Sequence, residues 1–292
     1  VKGAVMKNIL AGKYSQIKES IDCKLAKEGI HTIQEFRTMK LIFFLVFFNA
    51  ITYGMYAFNY YITPNFDELT VQLDEQNEYI SFLPGIWFVH LIAFTFLCTA
   101  IVSRYYSGKH NVKGYLWHYV FMSTTLFLFL VYTFKFGQLF VTSFYERVVY
   151  AVIFSITIVF VIIKGYQNAV KMVYGSDIKQ HPLMVWLKYI GSSLMAVLTV
   201  IAAPYYFIKT VFGSVGDFEQ RLMGSLMSFI PLIVSVLMLF LLYFFSVIIR
   251  SYYLNKYSEE FRQKFGIEKE VWYGLKPYPK EDETEARAED IQ

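Results

Sequence analysis

Residues 148–167 read VVYAVIFSITIVFVIIKGYQ, twenty residues in which Lys164 is the one Lys, Arg, Asp or Glu. An α-helix rises about 1.5 Å per residue, so a run of about twenty crosses the ~30 Å hydrocarbon core of a bilayer. The run is apolar on every face, unlike the one-sided stripe of a helix that covers a soluble core. Outward from it, five further stretches share this character: Leu41–Ile62, Phe82–Val102, Tyr115–Phe134, Met184–Phe207 and Leu222–Ile249. Together they predict an all-α, polytopic integral membrane protein with six transmembrane helices.

Composition agrees. The 292 residues are 56% hydrophobic and 20% aromatic, and 17% are charged. A soluble domain carries charge on about a quarter of its residues, so the apolar excess predicts contact with the lipid bilayer. The net charge of +4 is alternately distributed along the chain, which argues against a nucleic-acid face. Cys23 and Cys98 have neither disulfide-framework nor zinc-ligand spacing and read as structural thiols.

Basic residues give an orientation. Eight Lys and Arg residues precede Leu41 and eight more lie from Arg250 to Arg287. The connection after the second stretch holds Arg104, Lys109 and Lys113. The connection after the first has no base and carries Asp67, Glu68, Asp74, Glu75 and Glu78. Because cytoplasmic loops retain Lys and Arg, both termini are expected in the cytoplasm, which requires an even number of spans. The charged first 40 residues and the long apolar run after them fit a signal anchor better than a cleaved signal peptide. The outer connections lack Asn-x-Ser/Thr acceptors, compatible with a bacterial plasma membrane.

Four regions follow: a cytoplasmic amphipathic segment (1–40), a six-helix transmembrane domain (41–249), a cytoplasmic amphipathic helix and turn (250–275), and an acidic disordered tail (276–292). In the first region, Leu10, Tyr14, Ile17, Ile21 and Leu25 recur at helical spacing. They predict one helix on the membrane surface or against another protein, ended by Gly29, with a second short helix over 30–39. In the third region, Tyr253, Tyr257, Phe261 and Phe265 recur every fourth residue, and the last span is expected to continue through them to Gly266. The interruption Lys135 to Arg147 reads as an outer hairpin that places Lys135 at the interface. The alternative extends the helix to Phe140 and buries Lys135 as a substrate or ion site.

Candidate polar groups within the membrane are His90, Lys135, Asn49 and Asn59. His90 reads first as a hydrogen bond between helices, whereas His110, His118 and His181 read as solvated histidines near inner loops. Every Asp and Glu falls outside the stretches, which disfavours ion-coupled transport. Gly191, Ser192 and Ala196, with Gly224, Ser225 and Ser228, form small-residue faces for close helix packing. Pro204 and Pro231 are candidate hinges, since each removes a backbone donor. Nucleotide-binding glycine loops, clustered metal ligands and nucleophile motifs do not occur. The expectation is therefore a non-enzymatic chain without catalytic, cofactor-binding or metal residues.

In topology alone, the arrangement resembles the permease subunits of some ABC exporters. These have six spans, an amphipathic N-terminal helix (here 8–28) and a re-entrant outer segment before the last span (here 205–221). The functional expectation is a bacterial membrane subunit working in a complex. It would be a permease-like partner of a separate ATPase, gripped at Ser103–Gly114 or Lys164–His181, or an accessory of a secretion system. The alternative is an immunity protein whose five outer acids meet a cationic extracellular peptide. No nucleic acid is expected as a partner.

Overall fold

A stretch that is apolar on all sides becomes helical in lipid because a helix satisfies its own backbone donors and acceptors. The computed structural model describes residues 8–35, 38–58, 85–141, 144–175, 204, 207–208, 210–212 and 218–275. Two small elements come first, α1 (Tyr14–Ile17) and α2 (Cys23–Glu35). The long helices α3 (Thr38–Ala57), α4 (Ile86–Tyr106), α5 (Asn111–Gln138) and α6 (Phe144–Tyr174) follow. The last span is assembled from α7 (Phe218–Ser228), α8 (Ile230–Leu237), a 3-10 turn (Met238–Phe240) and α9 (Leu241–Lys256). Beyond it lie α10 (Ser258–Phe265) and α11 (Lys269–Trp272).

Among the described residues, four helices are long and apolar enough to cross a membrane: Ile86–Tyr106, Asn111–Gln138, Phe144–Tyr174 and Ser225–Lys256. Helix α3, of 20 residues, takes up most of the first apolar stretch. Only Pro204 and Phe207 of Met184–Phe207 are among the described residues. The chain is thus an all-α, multi-pass membrane protein.

The order of packing follows from contacts at the two ends of the bundle. Call the side that carries residues 8–35 the near side. Helix α3 leaves it and reaches the far side, where Tyr53 Oη lies 2.6 Å from His90 Nδ1 at the start of α4. Helix α4 returns, and a tight turn at 107–110 sends α5 outward again. Helix α6 comes back to the near side, where the Tyr174 hydroxyl donates to the Asn8 carbonyl at 2.7 Å. The last span begins on the far side, with Ser228 Oγ donating to the Phe140 carbonyl at 2.8 Å. It ends on the near side beside residues 9–12.

Two cores hold this arrangement. On the far side Leu130, Phe134, Tyr150, Phe154, Val234 and Met238 join α5, α6 and the last span, with the Phe134 and Phe154 rings stacked at 4.1 Å. Close approach there depends on Gly137, whose Cβ would fall 2.7 Å from Pro231 Cδ and 2.9 Å from Ile230 Cβ. On the near side Ile17, Ile21, Ala26, Ile30 and Ile33 share a core with Tyr115, Val173, Tyr253, Phe261 and Trp272.

Several expectations change. The hairpin over 135–147 is replaced by a shorter connection, because α5 runs on to Gln138 and α6 starts at Phe144. Lys135, half-buried, therefore lies inside a helix. Arg147 is buried as well, and its Nε donates to the Val141 carbonyl at 2.6 Å. The guanidinium satisfies a buried carbonyl of the connection between the two helices, so this charge supports the turn rather than marking a solvated loop. Pro231 follows the break at Phe229 between α7 and α8. It occupies the first turn of α8, where its missing N–H is no loss.

At the N-terminus, the single helix through residues 10–25 is replaced by α1, a turn and α2. Gly29 does not end a helix but lies within α2, where a Cβ would stand 3.0 Å from the Tyr115 ring. At the C-terminus, the continuous helix to Phe265 breaks at Tyr257, whose φ/ψ of −114°/46° separates α9 from α10. Gly266, at φ +63°, ends α10 in the left-handed conformation.

Candidate functional site

Among the described residues, the near-side layer joins the segments farthest apart in sequence. Residues 8–13 form no regular element, so their backbone groups need partners from elsewhere. The end of α9 supplies them. Tyr253 Oη accepts from the Gly12 N–H at 2.8 Å and donates to the Ile9 carbonyl at 2.6 Å. One turn later, Tyr257 Oη donates to the Gly12 carbonyl at 2.8 Å. Lys256 Nζ donates to the Leu10 carbonyl at 2.9 Å, and Tyr252 Oη reaches the same oxygen at 3.4 Å.

Helical spacing explains this set. Tyr253 and Tyr257 are four residues apart on one face, and their rings lie parallel within 2°. Lys256 stands between them on the adjoining face, its ammonium 5.4–5.8 Å from the rings of Tyr252, Tyr253 and Tyr257. Further along, Ser20 Oγ donates to the Met172 carbonyl at 3.0 Å, and Lys264 Nζ donates to the Lys18 carbonyl.

The turn between α4 and α5 is tied to the C-terminal segment. Gly108 and Gly274 both adopt φ +82°, a conformation that suits glycine. A Cβ on Gly274 would fall 2.7 Å from Asn111 Oδ1 and 2.9 Å from Gly108 N. Asn111 Nδ2 donates to the Val271 carbonyl at 3.4 Å, and His110 meets the Tyr273 ring edge-on at 4.9 Å. His110 also caps α5, its Nδ1 accepting from the Lys113 N–H at 3.3 Å. Burial, helped by the Lys113 charge, lowers the pKa of His110 below its ordinary value. Trp272 is fully buried, its indole N–H donating to Ser258 Oγ at 2.8 Å.

Polar groups within the spans mostly join helices. On α4, Thr95, Thr99 and Ser103 recur every fourth residue and are buried. Thr95 Oγ1 lies 3.0 Å from Thr125 Oγ1, and Ser103 Oγ lies 2.8 Å from His118 Nδ1. His118 is therefore not a solvated histidine. It is 5% exposed, on the face of α5 that meets α4. Its seven-residue distance from the turn at Asn111 suggested an aqueous edge, but α5 is already packed on α4 there. The spacing Thr95, Thr99, Ser103, Thr125 was the available signal for this seam.

The sequence-selected residues are not gathered in one place. His90 is exposed and joined to Tyr53 on the far side, whereas Asn49 is half-buried on α3. Lys135 lies one turn before the end of α5. Ser228 and Pro231 belong to the far-side core, and Gly224 lies in α7. Ser225 is bonded to Thr210, at 2.8 Å between hydroxyl oxygens. Asn59, Gly191, Ser192, Ala196 and the acids Asp67, Glu68, Asp74, Glu75 and Glu78 lie outside the described residues, and so does the tail 276–292. Among the described residues, no group of three or more His, Cys, Asp or Glu side chains could hold a metal ion.

The near-side layer is thus what the fold positions most firmly. The chain matches no known protein family, no curated protein and no solved structure. Function has to be argued from the geometry itself.

Proposed function

We propose that this chain is a non-enzymatic, six-span subunit of a bacterial plasma membrane that keeps both termini in the cytoplasm and works in a complex. The observation that carries this reading is the near-side layer. Segments far apart in sequence, 8–35 and 253–274, are fixed into one layer, and the turn at 107–110 is tied to its edge. Its outer surface is charged, with Lys24 and Glu28 side chains 82% and 51% exposed. A surface ordered in advance lowers the entropic cost of association, so a protein partner is the occupant it suits best.

The count of six spans has support in the packing order. Helix α6 ends on the near side and Ser228 lies on the far side, as one further crossing between them in sequence would require. Met184–Phe207 is the stretch there with the length and apolarity for one crossing. Positive-inside bias then assigns the near side to the cytoplasm.

Within the complex reading, the turn at 107–110 is informative. It is the middle of Ser103–Gly114, one of the two loops an ATPase could grip; residues 271–273 flank it at His110 and Asn111, while Gly108 and Lys109 stay exposed. The chain is then either a permease-like partner of a separate ATPase or an accessory of an export or secretion system. Lys164–His181, the other such loop, lies partly outside the described residues.

The test is purification of the full chain from native membranes in mild detergent, with a paired charge reversal of Lys24 and Glu28 as comparison. A stoichiometric partner that is lost on charge reversal is the expected result. Elution alone would sink the complex reading. If the Asp67, Glu68, Asp74, Glu75 and Glu78 set is then required for protection against a cationic secreted peptide, the immunity reading replaces it.

A further inference from the structure

The turn between α4 and α5 carries bases with no acid nearby in sequence. From Tyr79 to Tyr145 the chain has no Asp or Glu, so Arg104, Lys109 and Lys113 find no carboxylate on either helix that flanks the turn. Arg104 and Lys109 are exposed and Lys113 is half-buried. The two lysines and two tyrosine rings form one continuous patch. Lys109 Nζ stands 4.2 Å from the centre of the Tyr105 ring, the Tyr105 and Tyr106 rings meet edge-on at 5.1 Å, and Lys113 Nζ stands 5.5 Å from the Tyr106 ring. A ring face takes up one side of an ammonium and leaves its outer N–H donors for an anion.

Several other near-side bases are already engaged. Lys18 lies 4.0 Å from Glu19, Lys24 lies 4.0 Å from Glu28, and Arg262 Nε lies 2.8 Å from Glu259. Lys256 and Lys264 donate to backbone carbonyls. Among the described residues, Arg104, Lys109 and Lys113 make no ion pair.

The chain brings acids to this same place. Gly108 N lies 2.9 Å from the Cβ position of Gly274, and Leu275, which follows, is 71% exposed. Residues 281–290 read EDETEARAED, six acids and one base. Glu281 is six residues past Leu275, a reach of up to about 20 Å. A tethered segment meets its site at millimolar effective concentration, which offsets the weakness of single exposed ion pairs.

We propose that the acidic segment 281–290 docks on the basic face of the α4–α5 turn, its carboxylates against Lys109, Lys113 and Arg104, so that the chain covers one of its own near-side loops. A partner that grips Ser103–Gly114 then has to displace this segment. The inference rests on the fold and the charge pattern, not on the complex reading, and its readout needs no partner protein.

The test uses the full chain in neutral detergent. A zero-length carbodiimide cross-linker joins carboxylates to amines in contact, and peptide mass spectrometry maps the links. Links from Glu281, Asp282, Glu283 or Glu285 to Lys109 or Lys113 are expected to outnumber those to Lys269, which is exposed and closer along the chain, and to fade as salt is raised. Glutamyl endopeptidase cleavage after Glu283 and Glu285 gives a second readout that involves no lysine chemistry. It tracks the undocked fraction, so it should run about threefold or more faster in the Lys109→Gln/Lys113→Gln double variant than in wild type. Lys24→Gln, which removes an exposed charge elsewhere on the same side, should leave it unchanged, and melting identifies variants that have lost the fold. Links spread evenly over the exposed lysines, equal cleavage in wild type and the double variant, or equal acceleration in Lys24→Gln overturns the proposal. Both readouts are repeated in phosphatidylglycerol vesicles. Retained links and protection there support the docked segment. Their loss there, but not in phosphatidylcholine vesicles, gives the turn to lipid headgroups and overturns the proposal.

Discussion

The hydroxyl of Tyr253 and the backbone N–H of Gly12 meet at 2.8 Å, and a Cβ on Gly12 would stand 2.6 Å from that same oxygen. The hydrogen bond and the absent side chain are one requirement seen from two sides. Gly12 comes close enough to bond because nothing projects from its Cα, and Val173 Cγ1, 2.5 Å from the same Cβ position, closes the other flank.

Tyr253→Phe removes a donor and an acceptor from a site that still packs a ring. Loss of about 1–3 kcal/mol is expected, since the Ile9 and Gly12 groups lose partners in a shielded place. Hydrogen exchange should show residues 8–20 opening first, with α4 and α5 protected as before. Unchanged exchange in 8–20 would mean that the strap is held by something other than this phenol.

Gly137→Ala tests the far side. The added methyl meets Pro231 and Ile230 within 2.7–2.9 Å, and these are ring and branched atoms that cannot swing away. Overpacking of this kind costs about 1–3 kcal/mol, against a gain of about 1 kcal/mol in helix propensity. A lower melting temperature is expected, and a higher one would show that α8 can shift to make room.

Trp272→Ala should cost about 3–5 kcal/mol, the usual range for emptying a fully buried indole site. Trp272→Phe separates packing from the hydrogen bond to Ser258 and should cost less. Limited proteolysis after residue 256 reports both, because α10 and α11 are anchored through this side chain.

The pH dependence of the α4–α5 turn should come from His110. Its folded pKa is held below the ordinary 6.5 by burial first and by Lys113 second. Just below pH 6.5 the unfolded chain therefore binds more protons than the folded one. The stabilisation is complete above pH 6.5 and is lost as pH falls from there through the folded pKa. Protonation also removes the lone pair that caps Lys113. His110→Asn keeps a capping acceptor and should flatten the decline in melting temperature over that window; an unaltered slope would assign it to another group.

Much of the helical framework was legible because a twenty-residue apolar run in lipid leaves the backbone one economical conformation. What covers each face was not. Ile17, Ile21, Ile30 and Ile33 announce an apolar stripe, but periodicity does not say whether lipid, another protein or the chain's own α9 and α10 will lie against it. Here it is the chain itself, because Tyr252, Tyr253 and Tyr257 also satisfy backbone groups that a lipid surface could not. Lys135 and Arg147 misled for a related reason. Charge in an apolar sequence usually marks water, yet Arg147 reaches the Val141 carbonyl. His118 was read from its distance to a turn, whereas its environment comes from Ser103 on the neighbouring helix.

The tyrosine clamp also sets an order of events during synthesis. Gly12 and Tyr253 are 241 residues apart, so residues 8–13 emerge from the ribosome long before the side chains that hold them. Until α9 is inserted and Tyr257 has emerged, the isoleucine face of 17–33 lacks much of its cover and is open to chaperones and proteases. A chain stopped before residue 252 would keep its long apolar helices and yet expose its N-terminal segment. The closing of this layer thus ties protection of residues 8–35 to insertion of α9.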